Sequence, residues 1–143
     1  NVVDEIANKI AIPIVHIADA TADTLKQNGF GTVGLLGTQF TMEQAFYKGR
    51  LRERFGIDVI VPGQQDRDLV HEVIYQELCL GKITKPSKDS YLRVISELYA
   101  NGAQAIILGC TEIALLISQQ DTPVPLYDTT AIHADAAIVL ALA

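Results

Sequence analysis

Hydrophobic and polar positions along the chain switch repeatedly between two periods. Val2, Val3, Ile6 and Ile10 fall at helical spacing, so the chain opens in a helix. A short strand is expected over 12–17, then a helix over 19–28 closed by Gly29, then a buried strand over 32–36. Thr41 reads as the N-cap of a helix over 42–55. Its Ala45, Phe46, Leu51 and Phe55 turn inward and its Lys48, Arg52 and Glu53 outward. A strand over 58–61 stops at Pro62-Gly63. The helix expected over 66–80 carries Leu69, Val70, Val73, Ile74 and Leu78 on one face and ends at Gly81. After a polar connector, a helix over 87–100 is buried through Leu92, Ile95 and Leu98. An apolar strand over 105–108 leads into a short helix ending near Ile117. A strand over 124–127 and a helix over 130–143 finish the chain. Strand and helix alternate, which predicts an α/β fold: a mostly parallel sheet flanked by helices.

Composition narrows the function classes. The 143 residues suffice for one hydrophobic core, and 49% hydrophobic with 20% charged residues is ordinary for a globular protein. A net charge of -6 opposes binding to nucleic acid, which requires a basic surface. The longest apolar runs are too short to span a bilayer, so no membrane role is expected. Two cysteines, Cys79 and Cys110, are too few for a disulfide scaffold. They form no CxxC or Cys/His cluster, so no metal is expected, and a reducing, cytoplasmic setting follows. The chain does not begin with Met, and it reads as cut from a larger protein.

Two segments carry the candidate chemistry. Leu35-Leu36-Gly37-Thr38 and Ile107-Leu108-Gly109-Cys110-Thr111 each run an apolar strand into glycine and then into hydroxyl or thiol residues. Ligands of open α/β sheets sit at the carboxyl ends of strands, and a helix N-terminus beyond suits a carboxylate. Placed there, Cys110 reads as a thiol of depressed pKa, fit for acid–base work. The competing reading is a buried, inert cysteine. Thr38 is a candidate ligand as well as a turn residue, and Thr41 a cap whatever else it does. Glu112 either serves the helix dipole or receives an ammonium group. Cys79, in the last turn of a helix, reads as structural. His16 and His133 read the same way, and His71 as solvated surface.

At Gly109-Cys110-Thr111-Glu112-Ile113 the sequence resembles the aspartate/glutamate racemase family, nearest the bacterial broad-specificity amino-acid racemases. Other segments agree in order. They are 12–21, Leu35-Leu36-Gly37-Thr38 through Thr41-Met42-Glu43-Gln44, Tyr75-Gln76-Glu77-Leu78-Cys79, and Tyr127-Asp128-Thr129 with Ile132-His133-Ala134. The resemblance implies a two-lobed fold with its site between the lobes. It implies proton transfer at Cα by one Cys or Thr from each lobe, with no pyridoxal phosphate or other cofactor and no metal. Cys110 matches the C-terminal-lobe cysteine, and Thr111 a residue that helps hold the α-carboxylate. Thr38 and Thr41 match the second loop lining the cleft.

The chain then divides into a remnant of the N-terminal lobe (1–11), a C-terminal α/β lobe (12–128) and a helix expected to pack on the missing lobe (129–143). The implied partner is a small amino acid with an α-carboxylate, acidic ones first, and a homodimer is expected. The fragment alone should be inactive. Competing readings are a maleate isomerase, an arylmalonate decarboxylase, a hydantoin racemase, or a binding module without catalysis.

Overall fold

The computed structural model describes residues 2–143. Four strands, β1 (Thr32–Leu36), β2 (Asp58–Ile60), β3 (Ile106–Leu108) and β4 (Leu126–Asp128), form one sheet in the order β2-β1-β3-β4. All three pairings are parallel. Gly34 pairs with both Ile60 and Ile106, and Leu108 lies opposite Leu36 and Asp128. The expected fold class is therefore the observed one.

Successive strand residues point to opposite faces, and each face has its own cover. Val33, Leu35 and Ile107 pack beneath α2 (Ile17–Gln27) and α4 (Ala45–Phe55), among Ala18, Ala22, Leu25, Tyr47 and Leu51. Leu36, Ile106 and Leu108 pack on the other face. There they meet Met42 of α3 (Gln39–Glu43) and residues of α5 (Gln64–Gln76), α6 (Lys85–Ala100) and α7 (Ile113–Leu116). A sheet covered on both faces explains why its strands read as continuous apolar runs.

Several expected elements differ from those found. No strand forms over 12–17. Pro13 lacks a donor for a ladder, Ile12 is 75% exposed, and His16 caps α2, accepting the Ala18 N–H on Nδ1 at 3.1 Å. The helix expected over 42–55 is two helices. Gln44 is extended (φ -72, ψ 143) and divides α3 from α4. The break turns α4 so that Phe46 is 54% exposed and Tyr47 is buried at 4%; Ala45 is exposed too. The helix expected over 66–80 ends at Gln76, and Leu78–Leu80 forms a separate 3-10 turn closed by Gly81 at φ +72. Cys79 sits exposed on that turn rather than packed as a structural residue.

Two contacts fix the ends of this unit. In α8 (Thr129–Leu142), Asp128 caps the first turn, accepting the Thr130 N–H at 2.9 Å. His133 Nε2 lies 2.8 Å from the Val15 carbonyl oxygen, tying the irregular segment before α2 to α8. α8 packs against α2, yet its Ile138, Val139, Leu140 and Leu142 remain exposed. α1 (Val2–Ala7) is a short, largely exposed helix. Among the described residues, no helix is long and apolar enough to cross a membrane.

Candidate active site at the β1–β3 switch point

The connections from β1 and β3 leave the sheet in opposite directions, because β2 lies on one side of β1 and β4 on the far side of β3. Such a reversal opens a crevice beyond the carboxyl ends of the two central strands. Gly37-Thr38 enters that crevice from β1, and Gly109-Cys110 from β3. The two glycines allow the loops to approach. A Cβ on Gly37 would lie 3.1 Å from Thr41 Cβ and 3.6 Å from Cys110 Sγ. A Cβ on Gly109 would meet the Leu36 carbonyl oxygen at 2.9 Å and Thr41 Cγ2 at 3.3 Å. The Thr41 methyl thus wedges between the two loops.

This approach brings together three of the five candidate residues. Cys110 Sγ is half-buried between the two loops, where the Thr38 N–H and the Thr41 hydroxyl are the polar groups that favour its charged form. Thr38 and Thr41 also hold each other. The Thr38 hydroxyl oxygen caps α3 by accepting the Thr41 N–H at 3.4 Å, and the two hydroxyl oxygens lie 3.2 Å apart. Either hydroxyl can donate to the other. Thr38, not Thr41, is therefore the N-cap, a correction to the sequence expectation. The Thr41 side chain is left to face the thiol.

Burial pushes the Cys110 thiol above its ordinary value, and the Glu112 charge and Cys79 add to that push. The Thr38 N–H and the Thr41 hydroxyl act the other way, and the net direction is upward. This reverses the expectation of a thiol lowered by a helix dipole. α7 begins only at Ile113 and runs four residues, too short to offer Cys110 an appreciable dipole. Thr111 stands exposed beside Cys110, and Glu112 is half-buried at the N-cap of α7. Neither is in the Thr38–Thr41 hydrogen-bond set beside Cys110.

Sequence reasoning missed the outer support of the Thr38 loop. His71 is not solvated surface. Its Nδ1 accepts the Gln39 N–H at 3.2 Å, and its ring lies 4.8 Å from that of Tyr75. The Gln39 side chain donates to Asp68 at 2.6 Å. Asp68, His71 and Tyr75 follow helical spacing on one side of α5, a polar stripe that could have marked a second packed surface. Farther away, Asp19 and Arg50 form a largely buried ion pair between α2 and α4, and Arg50 holds the Asp19 carboxyl below its usual range.

A parallel α/β sheet of this order, with a thiol held by threonines at its switch point, belongs to the class whose chemistry sits between strand-end loops. Known relatives narrow that class. The Asp/Glu/hydantoin racemase family matches residues 1–137, and the chain belongs to it. A candidate Asp/Glu racemase of known structure from Yersinia pestis is 56% identical with a TM-score of 0.95. Its match covers 99% of this chain and 62% of that one. An aspartate racemase homologue from Pyrococcus horikoshii OT3 is 34% identical with a TM-score of 0.92, at 99% and 62% coverage. A glutamate racemase from Herpetosiphon aurantiacus is 29% identical over 116 residues, which are 81% of this chain and 44% of that protein. The chain thus spans under two thirds of the length of each of these three relatives.

Proposed function

We propose that the whole protein racemises an amino acid by moving its Cα proton, with Cys110 as one of two acid/base groups. One observation carries this reading: a half-buried thiol at the switch point, where the close approach of the Gly37 and Gly109 loops sets it beside Thr38 and Thr41. A desolvated thiolate is a strong base. The Thr38 N–H and the Thr41 hydroxyl offset part of the cost of forming it, so the group can take a weakly acidic proton and return it. Thr111 and Glu112 are assigned to the substrate. The Thr111 backbone and hydroxyl would help hold the α-carboxylate, and Glu112 would face the ammonium group. A carboxylate held by fixed donors away from water draws off charge as Cα deprotonates. Inversion needs a second group on the far side of Cα. That group is assigned to chain outside these 143 residues, in keeping with relatives that extend well beyond the match. Acidic amino acids are the first-choice substrates, as in the aspartate and glutamate racemases among the relatives.

The test is Cys110→Ala in the full-length protein, followed by Cα deuterium uptake from D2O starting from each enantiomer. Loss of exchange in at least one direction is expected, and unchanged exchange in both would sink the assignment. A panel that includes hydantoins separates amino-acid racemisation from the other chemistry named in the family's description. The exposed apolar residues Ile138, Val139, Leu140 and Leu142 fit a helix that packs on further chain of the same protein, and a homodimer of the whole protein is kept as the working assembly. Sedimentation of the full-length protein as a monomer at high concentration would overturn that part.

A further inference from the structure

The Thr38 loop packs against Cys110, with Thr41 Cβ and Cys110 Sγ 3.1 and 3.6 Å from a Cβ placed on Gly37, and it carries both polar groups that favour the thiolate, so whatever fixes that loop fixes the environment of the thiol. Its inner side is held by its own cap, with the Thr41 N–H on Thr38 Oγ1 and the Met42 N–H on the Thr38 carbonyl at 3.0 Å. Those bonds lie within the loop and its five-residue helix, and they move with it. The outer tether comes from a different element. Gln39, the residue after Thr38, donates its N–H to His71 Nδ1 and its side-chain amide to Asp68, both on α5. The Gln39 N–H is a first-turn donor with no partner inside its helix, so an acceptor has to come from elsewhere. An Nδ1 that accepts leaves the proton of the neutral ring on Nε2. α5 is itself anchored in the core through Val70, Val73 and Ile74, and the Tyr91 hydroxyl donates to the Val70 carbonyl at 2.8 Å. A rigid element therefore reaches one peptide away from the Thr38 N–H.

We propose that His71 is a positioning residue for the reaction: by accepting the Gln39 N–H it holds the Thr38 N–H and the Thr41 hydroxyl against Cys110. His71 touches neither the thiol nor the crevice donors and acts only through the loop. The proposal rests on the reading of Cys110 as an acid/base group. Its central claim, that the ring nitrogen sets the thiol's environment, can be measured without turnover.

The experiment uses full-length protein carrying Cys79→Ser, so that Cys110 is the cysteine of this segment that reacts. Peptide mapping follows its alkylation by iodoacetamide at a pH below the thiol's titration. His71→Phe keeps a ring against Tyr75 and removes the acceptor. His71→Asn keeps an acceptor oxygen near the place of Nδ1. His71→Gln moves that oxygen one bond too far, and serves as the disruptive variant if the phenylalanine protein does not fold. Losing the held donors should slow Cys110 alkylation roughly tenfold in His71→Phe and His71→Gln, the factor for one unit of pKa. His71→Asn should stay near wild type, and thermal melting should show all variants folded. In turnover, kcat should fall with alkylation while KM changes little. Wild-type alkylation in His71→Phe or His71→Gln would overturn the proposal. Equal slowing in His71→Asn and His71→Phe would also overturn it, because packing rather than the acceptor would then be at work. Alkylation that follows the acceptor, in a protein showing no Cα exchange, would uphold the tether and remove the racemase reading instead.

Discussion

Gly109→Ala tests whether the strand ends are as tightly joined as the site requires. The added Cβ would stand 2.9 Å from the Leu36 carbonyl oxygen and 3.1 Å from Leu35 Cδ1. A side chain can give way, but the Leu36 oxygen belongs to β1 and accepts the Gly109 N–H at 2.7 Å. Relief must therefore open the β1–β3 ladder at its carboxyl end. Overpacking of this kind costs about 1–3 kcal/mol. For a protein of this size or longer the loss lowers Tm by about 2–12 °C. The same opening draws Cys110 away from the Thr38 N–H and the Thr41 hydroxyl, so alkylation of the thiol should change as well. Gly63→Ala is the matched control. Gly63 has φ -59 and ψ 163, which alanine adopts freely, and nothing lies within 4 Å of its added Cβ. That substitution should be neutral or stabilise by up to about 1 kcal/mol through the unfolded chain. Differential scanning calorimetry and peptide-mapped alkylation on the full-length protein give both readouts. A Gly109→Ala protein with wild-type Tm and wild-type Cys110 reactivity would refute the close-approach argument.

Two pH effects follow from the charged and titratable groups. The Cys110 thiol is held above its ordinary value of 9.0, so the folded state keeps a proton that the unfolded chain releases. Its contribution to stability is therefore lost as pH rises past 9.0, and its alkylation in a Cys79→Ser background should still be climbing there, by about tenfold per unit. A plateau reached near neutral pH would contradict the upward shift. Asp19 is shifted the other way by Arg50, from an ordinary value of 3.8, so the pair stabilises above that pH and fades as pH falls through the lower folded value. Asp19→Asn should cost about 1.5–3 kcal/mol in urea unfolding at neutral pH, the range for hydrogen bonds to charged groups. The difference from wild type should shrink in acid, and a difference that persists undiminished at low pH would show that the lost energy is not ionic.

What was legible in the sequence divides along a physical line. Elements whose burial is two-sided were plain: 32–36 and 105–108 are continuous apolar runs bounded by polar or glycine residues, and both are strands of the sheet, the second trimmed to Ile106–Leu108. Gly29, at φ +77 just after α2, likewise marked a helix end that only the left-handed region closes easily. Elements decided by a single local competition were not. Residues 12–17 have strand composition, but Pro13 lacks a donor for a ladder and His16 is taken up as the N-cap of α2. In 42–55, hydropathy cannot choose between Phe46 and Tyr47. The choice was made upstream, when Thr38 capped a separate short helix and Gln44 broke the register. The candidate site shows the same division. Two Gly-hydroxyl/thiol strand ends were visible as motifs, because each lies within a few residues. The sign of the Cys110 shift was not, since it depends on how long α7 is and on how deeply the thiol lies between loops 72 residues apart in sequence. His71 was lost for that reason too. Its function as an acceptor exists only because folding places Gln39, 32 positions earlier, against α5. Where a residue's role is set by its own neighbours in sequence, composition and spacing carry it. Where the role is to hold a distant loop, only the sheet order reveals which loop, and the β1–β3 reversal is the feature that converts two ordinary turns into one crevice.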